Sequence, residues 1–521
     1  MEPVLNPEAM GAADRRTIAA GTPFEVLMER AGRAVAWEVR RATGGAYGRH
    51  VVVVCGKGNN GGDGRVTART LARWGMRTHV FDLEPGVDQA RFDRARFERA
   101  LATADAAVDA MYGTGFRGTL EGDAAWIAER LRAWGGPTIA IDIPSGVDGL
   151  SGSTFGPVVH ATRTVTFAAR KPGLVFEPGR SHAGEVVVAD IGIDLHDPAG
   201  AEEHAGLITA ADVGTWLPPR EPGAHKWQSG VMVVGGSGGM MGAPMFVSHA
   251  AMRAGAGIVW CALPGEDSAR AASGSEVITR ALPATPGGVL ARDAAETVLA
   301  DVGRFRALAV GPGLGSDPTV QYVVRALVAE ARIPLVLDAD GLNALGGDFT
   351  SLRSRQTRGA PVVLTPHAGE YERLMGEPVG ADRIAAARAL ADRSGAIVVL
   401  KGPGTVIAAP ARISGSGASG SGASGPGVSG PGASGPGRVA LNPTGGAALA
   451  TAGSGDVLTG VVAAFLARGM DAFEAAAAGA WVHGRTADLL TERVGPGLVA
   501  GDLIAYLPRT LAGLTTHDDA R

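Results

Sequence analysis

The densest chemistry in the chain follows the apolar run HVVVV, where CGKGNNGGDG, Cys55 to Gly64, leads into DGRVTARTLARWG. Five glycines in ten residues at a strand-to-helix turn let backbone N–H groups converge on an anion, and the helix start adds partial positive charge. The pattern is neither G-x-G-x-x-G nor a Walker loop. It adds Asn59, Asn60 and Asp63, polar groups that a mere packing turn does not need. Two further runs, VDAMYGTGFRG (Val108 to Gly118) and AIDIPSGVDG (Ala140 to Gly149), each put an acid at a strand's C-terminal end before a Gly-rich turn. In open α/β sheets that edge is where ligands bind. Asn60, Asp109, Asp142 and Ser145 together offer amide, carboxylate and hydroxyl oxygens, hard donors that suit an alkali or alkaline-earth cation rather than zinc. Singly, each Asp reads more often as a helix cap or turn residue.

The second half carries a different set. AGSGDVLTG, Ala452 to Gly460, opens a helix with free N–H groups at Gly453 to Gly455, which can stabilise a phosphoryl group in transfer, and Asp456 can accept a proton from an attacking hydroxyl. A plainly capped helix is the alternative. Around it stand HKWQSGVMVVGGSGGMMGAP (225 to 244), AVGPGLG (309 to 315), LDADGLNAL (337 to 345), LTPHAGE (364 to 370) and LKGPGT (400 to 405), each a strand ending in a turn. His367 reads as a ligand contact or a capping histidine. Lys401 reads as a partner for phosphate charge or a surface lysine.

These turns need a scaffold of short β-branched runs alternating with amphipathic Ala/Arg-rich stretches, the pattern of an α/β fold around mainly parallel sheets. Strands are predicted at His50 to Cys55, Thr78 to Leu83, Ala106 to Met111, Thr138 to Ile143, Thr162 to Phe167 and Glu185 to Ala189. The polar stretch from Asp194 to Pro222 places a domain boundary near residue 212. A second series follows at Val231 to Val234, Gly257 to Ala262, Ala307 to Val310, Leu335 to Leu337, Val362 to Leu364, Ile397 to Leu400 and Thr405 to Ala408. Residues 414 to 437 hold ten Gly, seven Ser, three Ala, three Pro and one Val. That composition cannot bury enough apolar area, so a disordered hairpin tip is predicted between TVIAAPARI and RVALNP.

With these motifs in place, residues 1–212 resemble the NAD(P)H-hydrate epimerases of the YjeF N-terminal type, including the opening AMGAADRRTIAAGTPFEVLMERAGRAVA and the closing KPGLVFEPGRSHAGEVVVADIGI. The resemblance implies a Rossmann-like three-layer sheet. It also implies a nucleotide site of Asn59, Asn60, Gly61, Gly62, Asp63, Gly113, Thr114, Gly115, Phe116, Arg117, Gly118, Thr119 and Asp142, with potassium at Asn60, Asp109 and Ser145 and a catalytic part for Asp142. Arg30 departs from the family's usual Asn. Residues 216–521 resemble the ribokinase-like, ADP-dependent NAD(P)H-hydrate dehydratases of the YjeF C-terminal type, with GPGLG, DADGLN, LTPH, LKG and NPTGG before ATAGSGDVLTG in order. This implies a ribokinase-like three-layer sheet and dinucleotide contacts at Ala243, Gly313, His367 and Asp456. Lys401, Gly402, Pro403, Gly404, Thr405 and Gly455 would hold ADP, which brings Mg2+. Ala368 stands where Pro is usual.

Together the resemblances imply a bifunctional NAD(P)H-hydrate repair enzyme acting on NADHX and NADPHX, and a homo-oligomer. The residues alone leave two rivals: a ribokinase-like small-molecule kinase of hydroxymethylpyrimidine type, and a first half that only binds nucleotides. Over 521 residues, 48 Lys plus Arg against 52 Asp plus Glu leave a net charge of −4 and no basic block of the kind that tracks nucleic acid. No apolar run approaches the roughly 18 residues that cross a bilayer. Two cysteines and a start without a basic and apolar leader point to a reduced, cytoplasmic protein.

Overall fold

The computed structural model describes residues 1–83, 92–196, 205–272, 274–356, 360–411, 437–495 and 497–515. The chain forms two compact units, Glu2–Ala205 and Gly206–Arg521, the second also taking Met1. The division thus falls before residue 212. Asp212 instead closes a capping box with Thr209 at the start of the helix Ala210–Trp216.

In the first unit six parallel strands run in the order Arg77–Asp82, His50–Cys55, Ala106–Ala110, Thr138–Ile141, Arg163–Phe167, Glu185–Ala189. The run VVVVC is fully buried because both faces of a parallel sheet are covered. Val51, Val53 and Cys55 enter a core with the helices Phe24–Ala42 and Asn59–Arg73. Val52 and Val54 enter another with Arg94–Ala102 and Gly122–Trp134. That alternation is what makes three layers. Gly32 lets the two helices of the first layer approach closely, since a Cβ there would strike Val66 and the Asp63 carbonyl.

In the second unit the order is Val439–Leu441, Val406–Ala408, Ile397–Leu400, Val362–Leu364, Leu335–Leu337, Ala307–Val310, Gly230–Val234, Ile258–Pro264, Ile278–Leu282. Val406–Ala408 pairs antiparallel with both Ile397–Leu400 and Val439–Leu441, so the segments flanking the Gly/Ser stretch do form a hairpin. Residues 414–436 themselves lie outside the described residues. The strand Ile278–Leu282 was not expected from sequence, because Thr279 and Arg280 interrupt ITRAL, leaving neither a continuous apolar run nor a clean alternation. One face of this sheet is covered by Gly242–Arg253, Ser454–Ala467, Ala472–Val494 and Ala500–Thr515. From Val457 to Ala467 every residue of the helix Ser454–Ala467 is buried, so its one early carboxylate is held on a rigid, wholly packed rod. Cys55 and Cys261 are buried and unpaired, their thiols pushed up to about 12 by burial. No helix among the described residues is long and apolar enough to cross a membrane.

Candidate functional site

Each unit gathers its polar residues at the C-terminal edge of its sheet. In the first, the Gly-rich turn is as tight as the sequence suggests: a Cβ at Gly61 would run into the Gly56 carbonyl, and one at Gly56 into that of Met111. Beyond the turn lies a cavity of about 380 Å³, whose lining includes Asp14, Asn59, Asp63, Thr114, Asp142 and Lys171. Asp142 sits at φ +67°, a conformation tolerated better by Asp than by most residues, which turns its carboxylate off the strand end. Its Oδ2 accepts from Thr114 N (3.2 Å) and Oγ1 (3.0 Å), and its Oδ1 from Thr166 Oγ1 (3.1 Å). The buried Lys171 Nζ stands 2.6 Å from Oδ1 and also donates to Thr166 Oγ1 and the Phe167 carbonyl. Burial alone would raise the Asp142 carboxyl; the Lys171 ammonium and the Thr114 hydrogen bonds outweigh it and hold the group below the usual carboxylate range. Asp63 goes the other way, pushed up to about 8 by burial and by the charges of Asp142 and Asp14. One cavity therefore holds a carboxyl kept below its usual range beside Lys171 and another raised well above it.

Asp109 and Ser145 lie together but do not line that cavity. Ser145 donates through Oγ (2.7 Å) and N (2.8 Å), and Met111 N adds a third bond at 3.2 Å. Asp109 is wholly buried, and burial pushes its carboxyl up to about 6 against those bonds. Among the described residues no cationic side chain pairs with it. Asn60 is buried with its Nδ2 unpartnered, and its Oδ1 faces Gly113, where a Cβ would sit 3.4 Å away. An oxygen-donor set around an uncompensated buried carboxylate fits a monovalent cation. Among the described residues no cluster of three or more His, Cys, Asp or Glu is arranged to hold a metal. Of the other expected residues, Phe116 packs on Tyr112 at 5.2 Å and Arg117 reaches Asp148 at 3.4 Å. Gly115 and Gly118 have open space around them, and Gly62 abuts Met28. The Thr119 methyl lies against Gly156. Arg30 donates to the Ile191 carbonyl at 3.0 Å, so this departure ties down a wall of the cavity.

In the second unit Gly453, at φ +85°, starts the helix Ser454–Ala467, and a Cβ there would press on Phe246 and Ala500. Asp456 occupies the first turn, where burial and then the Asp338 charge push its carboxyl up to about 7, against the pull of Lys401. Lys401 is no surface lysine: its Nζ lies 2.8 Å from Asp338 Oδ1 and 3.8 Å from Glu370 Oε2. Burial pulls its ammonium toward neutrality, but those carboxylates outweigh it and raise its proton affinity. A Cβ on Gly455 would come to 3.5 Å from that Nζ, which joins the two expected ADP segments. Gly402 abuts Arg383, and Thr405 Oγ1 meets the Gly402 carbonyl at 3.4 Å across Pro403 and Gly404. Gly313 accepts from Ser237 at 2.8 Å and abuts the Met240 carbonyl, which brings its turn against the one before Ala243. His367 takes the capping role: Nδ1 accepts from Gly369 N (3.0 Å) and Glu370 N (3.3 Å), with the side chain 55% exposed. Ala368 is simply the first residue of that helix, Ala368–Met375.

Sequence reasoning missed Asp14, Lys171, Asp338, Glu370 and Thr459. Lys171 and Asp14 come from segments far from the Gly-rich turns, and nothing in local spacing marks them. Asp338 and Thr459 stood inside motifs already noted, DADGLN and GDVLTG, and a buried polar residue next to a catalytic candidate was the available signal.

Two parallel α/β units, each with titratable groups collected at its strand ends, define a two-site enzyme of nucleotide-binding architecture. The comparisons agree: residues 24–173 match the model of the YjeF-related protein N-terminus, and residues 231–509 match that of NAD(P)H-hydrate dehydratase. The bifunctional NAD(P)H-hydrate repair enzyme of Moorella thermoacetica is 39% identical over 94% of this chain and 93% of its own. That of Escherichia coli is 32% identical over 96% and 92%. A solved ADP/ATP-dependent NAD(P)H-hydrate dehydratase from Bacillus subtilis, co-crystallised with ATP/Mg2+, is 28% identical over 60% of this chain and 99% of its own, with a TM-score of 0.47. The chain belongs to the family of bifunctional NAD(P)H-hydrate repair enzymes.

Proposed function

We propose that the first unit interconverts the R and S forms of NADHX and NADPHX, and that the second dehydrates the S form while ADP becomes AMP and phosphate. The observation that carries the reading is Asp456, a carboxylate whose proton affinity is matched to neutral pH, at the head of a buried helix beside a glycine turn. A general base works best when its pKa lies near the working pH. Asp456 takes the proton of the hydrate's ring hydroxyl as that oxygen attacks the β-phosphorus of ADP and AMP leaves. The phosphorylated ring then loses phosphate with help from the ring nitrogen's lone pair, and a proton leaves the neighbouring carbon to restore the double bond. Phosphorylation supplies a leaving group that hydroxide does not. Lys401, Gly402 to Thr405 and Gly455 would hold ADP, with Mg2+ screening the phosphate charge when bound; Ala243, Gly313 and His367 would bind the dinucleotide.

In the first unit Asp142, kept ionised by Lys171, would move a proton or steady a cationic intermediate in the cavity that Asn59, Asp63 and Thr114 line, and Asn59 to Asp63 with Gly113 to Thr119 would hold the dinucleotide. Potassium held by Asn60, Asp109 and Ser145 would balance the buried Asp109 charge. Both substrates are products of damage to the cell's own cofactors, so the protein works in the cytoplasm; the self-assembly its resemblance implies is open to sedimentation analysis.

The test is recovery of the dihydronicotinamide near-ultraviolet absorbance from mixed R and S NADHX with ADP, ATP or no nucleotide. Full recovery with ADP is expected. No recovery, with a stable phosphorylated product instead, would identify a small-molecule kinase. Asp456→Asn should lower recovery at least about 100-fold, and retention of more than about a tenth would remove Asp456 as the base.

A further inference from the structure

Asp338 follows the strand Leu335–Leu337, which lies between Ala307–Val310 and Val362–Leu364 in the middle of its sheet. Its carboxylate is buried, yet burial, which would raise it, is outweighed by Lys401 and by hydrogen bonds, and it is held below the usual range. Its oxygens are divided among three segments. Oδ1 accepts from Lys401 Nζ (2.8 Å) and from Thr365 Oγ1 (2.8 Å), while Oδ2 accepts from Thr459 Oγ1 (2.7 Å). Thr459 is three residues after Asp456 on the same helix, hence on the same face. Lys401 opens the KGPGT turn, and Thr365 precedes the His367 cap. One carboxylate thus touches every segment that carries the second unit's expected acid, ADP and cap residues, apart from the turns at Ala243 and Gly313. Replacing a whole buried ion pair by apolar residues is often neutral or favourable, so the presence of this pair does not by itself point to a stabilising role.

We propose that Asp338 is a positioning residue of the dehydratase: by clamping Thr459 and Lys401 it fixes where the Asp456 carboxylate stands. This rests on the reading of Asp456 as that base. Two charges act on Asp456: Asp338, which strengthens its hold on a proton, and Lys401, which weakens it. Glu370 acts at one remove through Lys401. His483, on the helix Ala472–Val494, is pushed down to about 4 by burial and stays neutral. The helices Gly242–Arg253 and Ala500–Thr515 bring His249, Arg253, Asp502 and Arg509, none of which acts on Asp456. Removing the Asp338 charge takes away the raising influence and leaves the Lys401 charge, then met only by Glu370, to act on Asp456, and both lower the pKa of Asp456.

The experiment uses the full chain with S-NADHX and ADP, following kcat, KM and the pH profile, with AMP binding as the check that the second unit is folded. Asp338→Asn should bind AMP within about threefold of the parent, lose at least about tenfold in kcat, and move the acid limb of kcat/KM to lower pH. Thr459→Val should lower kcat with a smaller movement of that limb, because the Asp338 and Lys401 charges remain, and Thr459→Ser should restore most of it. A kcat within twofold of the parent, or a loss of kcat with the acid limb unmoved, would overturn the proposal. If Asp338→Asn does not bind AMP, the Thr459 pair decides: Thr459→Val with unchanged kcat overturns it, and loss with rescue by serine upholds it. An active Asp456→Asn would instead bring down the base assignment itself.

Discussion

Five aspartates do different work because of what surrounds each one. Asp142 is buried and stays ionised beside Lys171, whereas Asp63 shares the same cavity with two like charges and is pushed up to about 8. Asp109 rises to about 6 with no cationic side chain against it among the described residues, Asp338 is held low by Lys401, and Asp456 rises to about 7. Pairs of titratable groups pushed apart by their surroundings are how one fold performs acid and base steps together. For Asp63 the displacement also acts on stability. The folded chain keeps a proton there up to about pH 8, while the unfolded chain releases it near the ordinary value of 3.8. Between those values the folded state binds more protons, so stability falls as pH rises. Asp63→Asn removes that slope: its melting temperature relative to the parent should rise steadily from pH 5 to pH 8. A difference that stays flat with pH would mean that Asp63 is already ionised in the fold.

At the scale of elements, the Gly-rich turns were legible because their requirement is steric and local. A Cβ at Gly61 meets the Gly56 carbonyl, so the helix Asn59–Arg73 can start where it does only with glycine there. Gly61→Ala should cost about 1–3 kcal/mol and lower the unfolding transition of the first unit in calorimetry, with the S-specific dehydratase rate unchanged. An unchanged transition would show that the turn can yield. Most strands were legible for a similar reason, since VVVVC, ALAV and IVVL are continuous apolar runs that only a doubly covered sheet accommodates. Ile278–Leu282 was not, because Thr279 and Arg280 break its apolar run and leave no regular alternation. Lys171 and Asp338 were illegible as site residues: their meaning lies in partners brought to them by the fold, Asp142 in one case and Thr459 with Lys401 in the other. His367 shows the converse. Its place after a strand end was plain, but that its Nδ1 caps the Gly369 and Glu370 N–H groups is seen only once the structure brings them to it.

Over the whole molecule, two sites on one chain answer a stereochemical need. Hydration of a dihydronicotinamide gives both epimers, and a dehydratase selective for one would leave the other stranded. The two steps therefore separate by substitution in the intact chain. Lys171→Met removes the cation beside Asp142 and leaves a buried carboxylate uncompensated, which raises its pKa and takes away the ionised group. Starting from mixed epimers with ADP, absorbance recovery by Lys171→Met should proceed at the parental initial rate and then stop at the S fraction. The parent should continue past that point in a slower phase limited by epimerisation. Adding an independently active epimerase should release the stalled remainder, because the second unit still holds its Asp338, Lys401 and Asp456 set. A Lys171→Met protein that passes the S fraction unaided at the parental rate would place epimerisation elsewhere than the Asp142 cavity, and one that loses the initial phase as well would show that the first site supports the second.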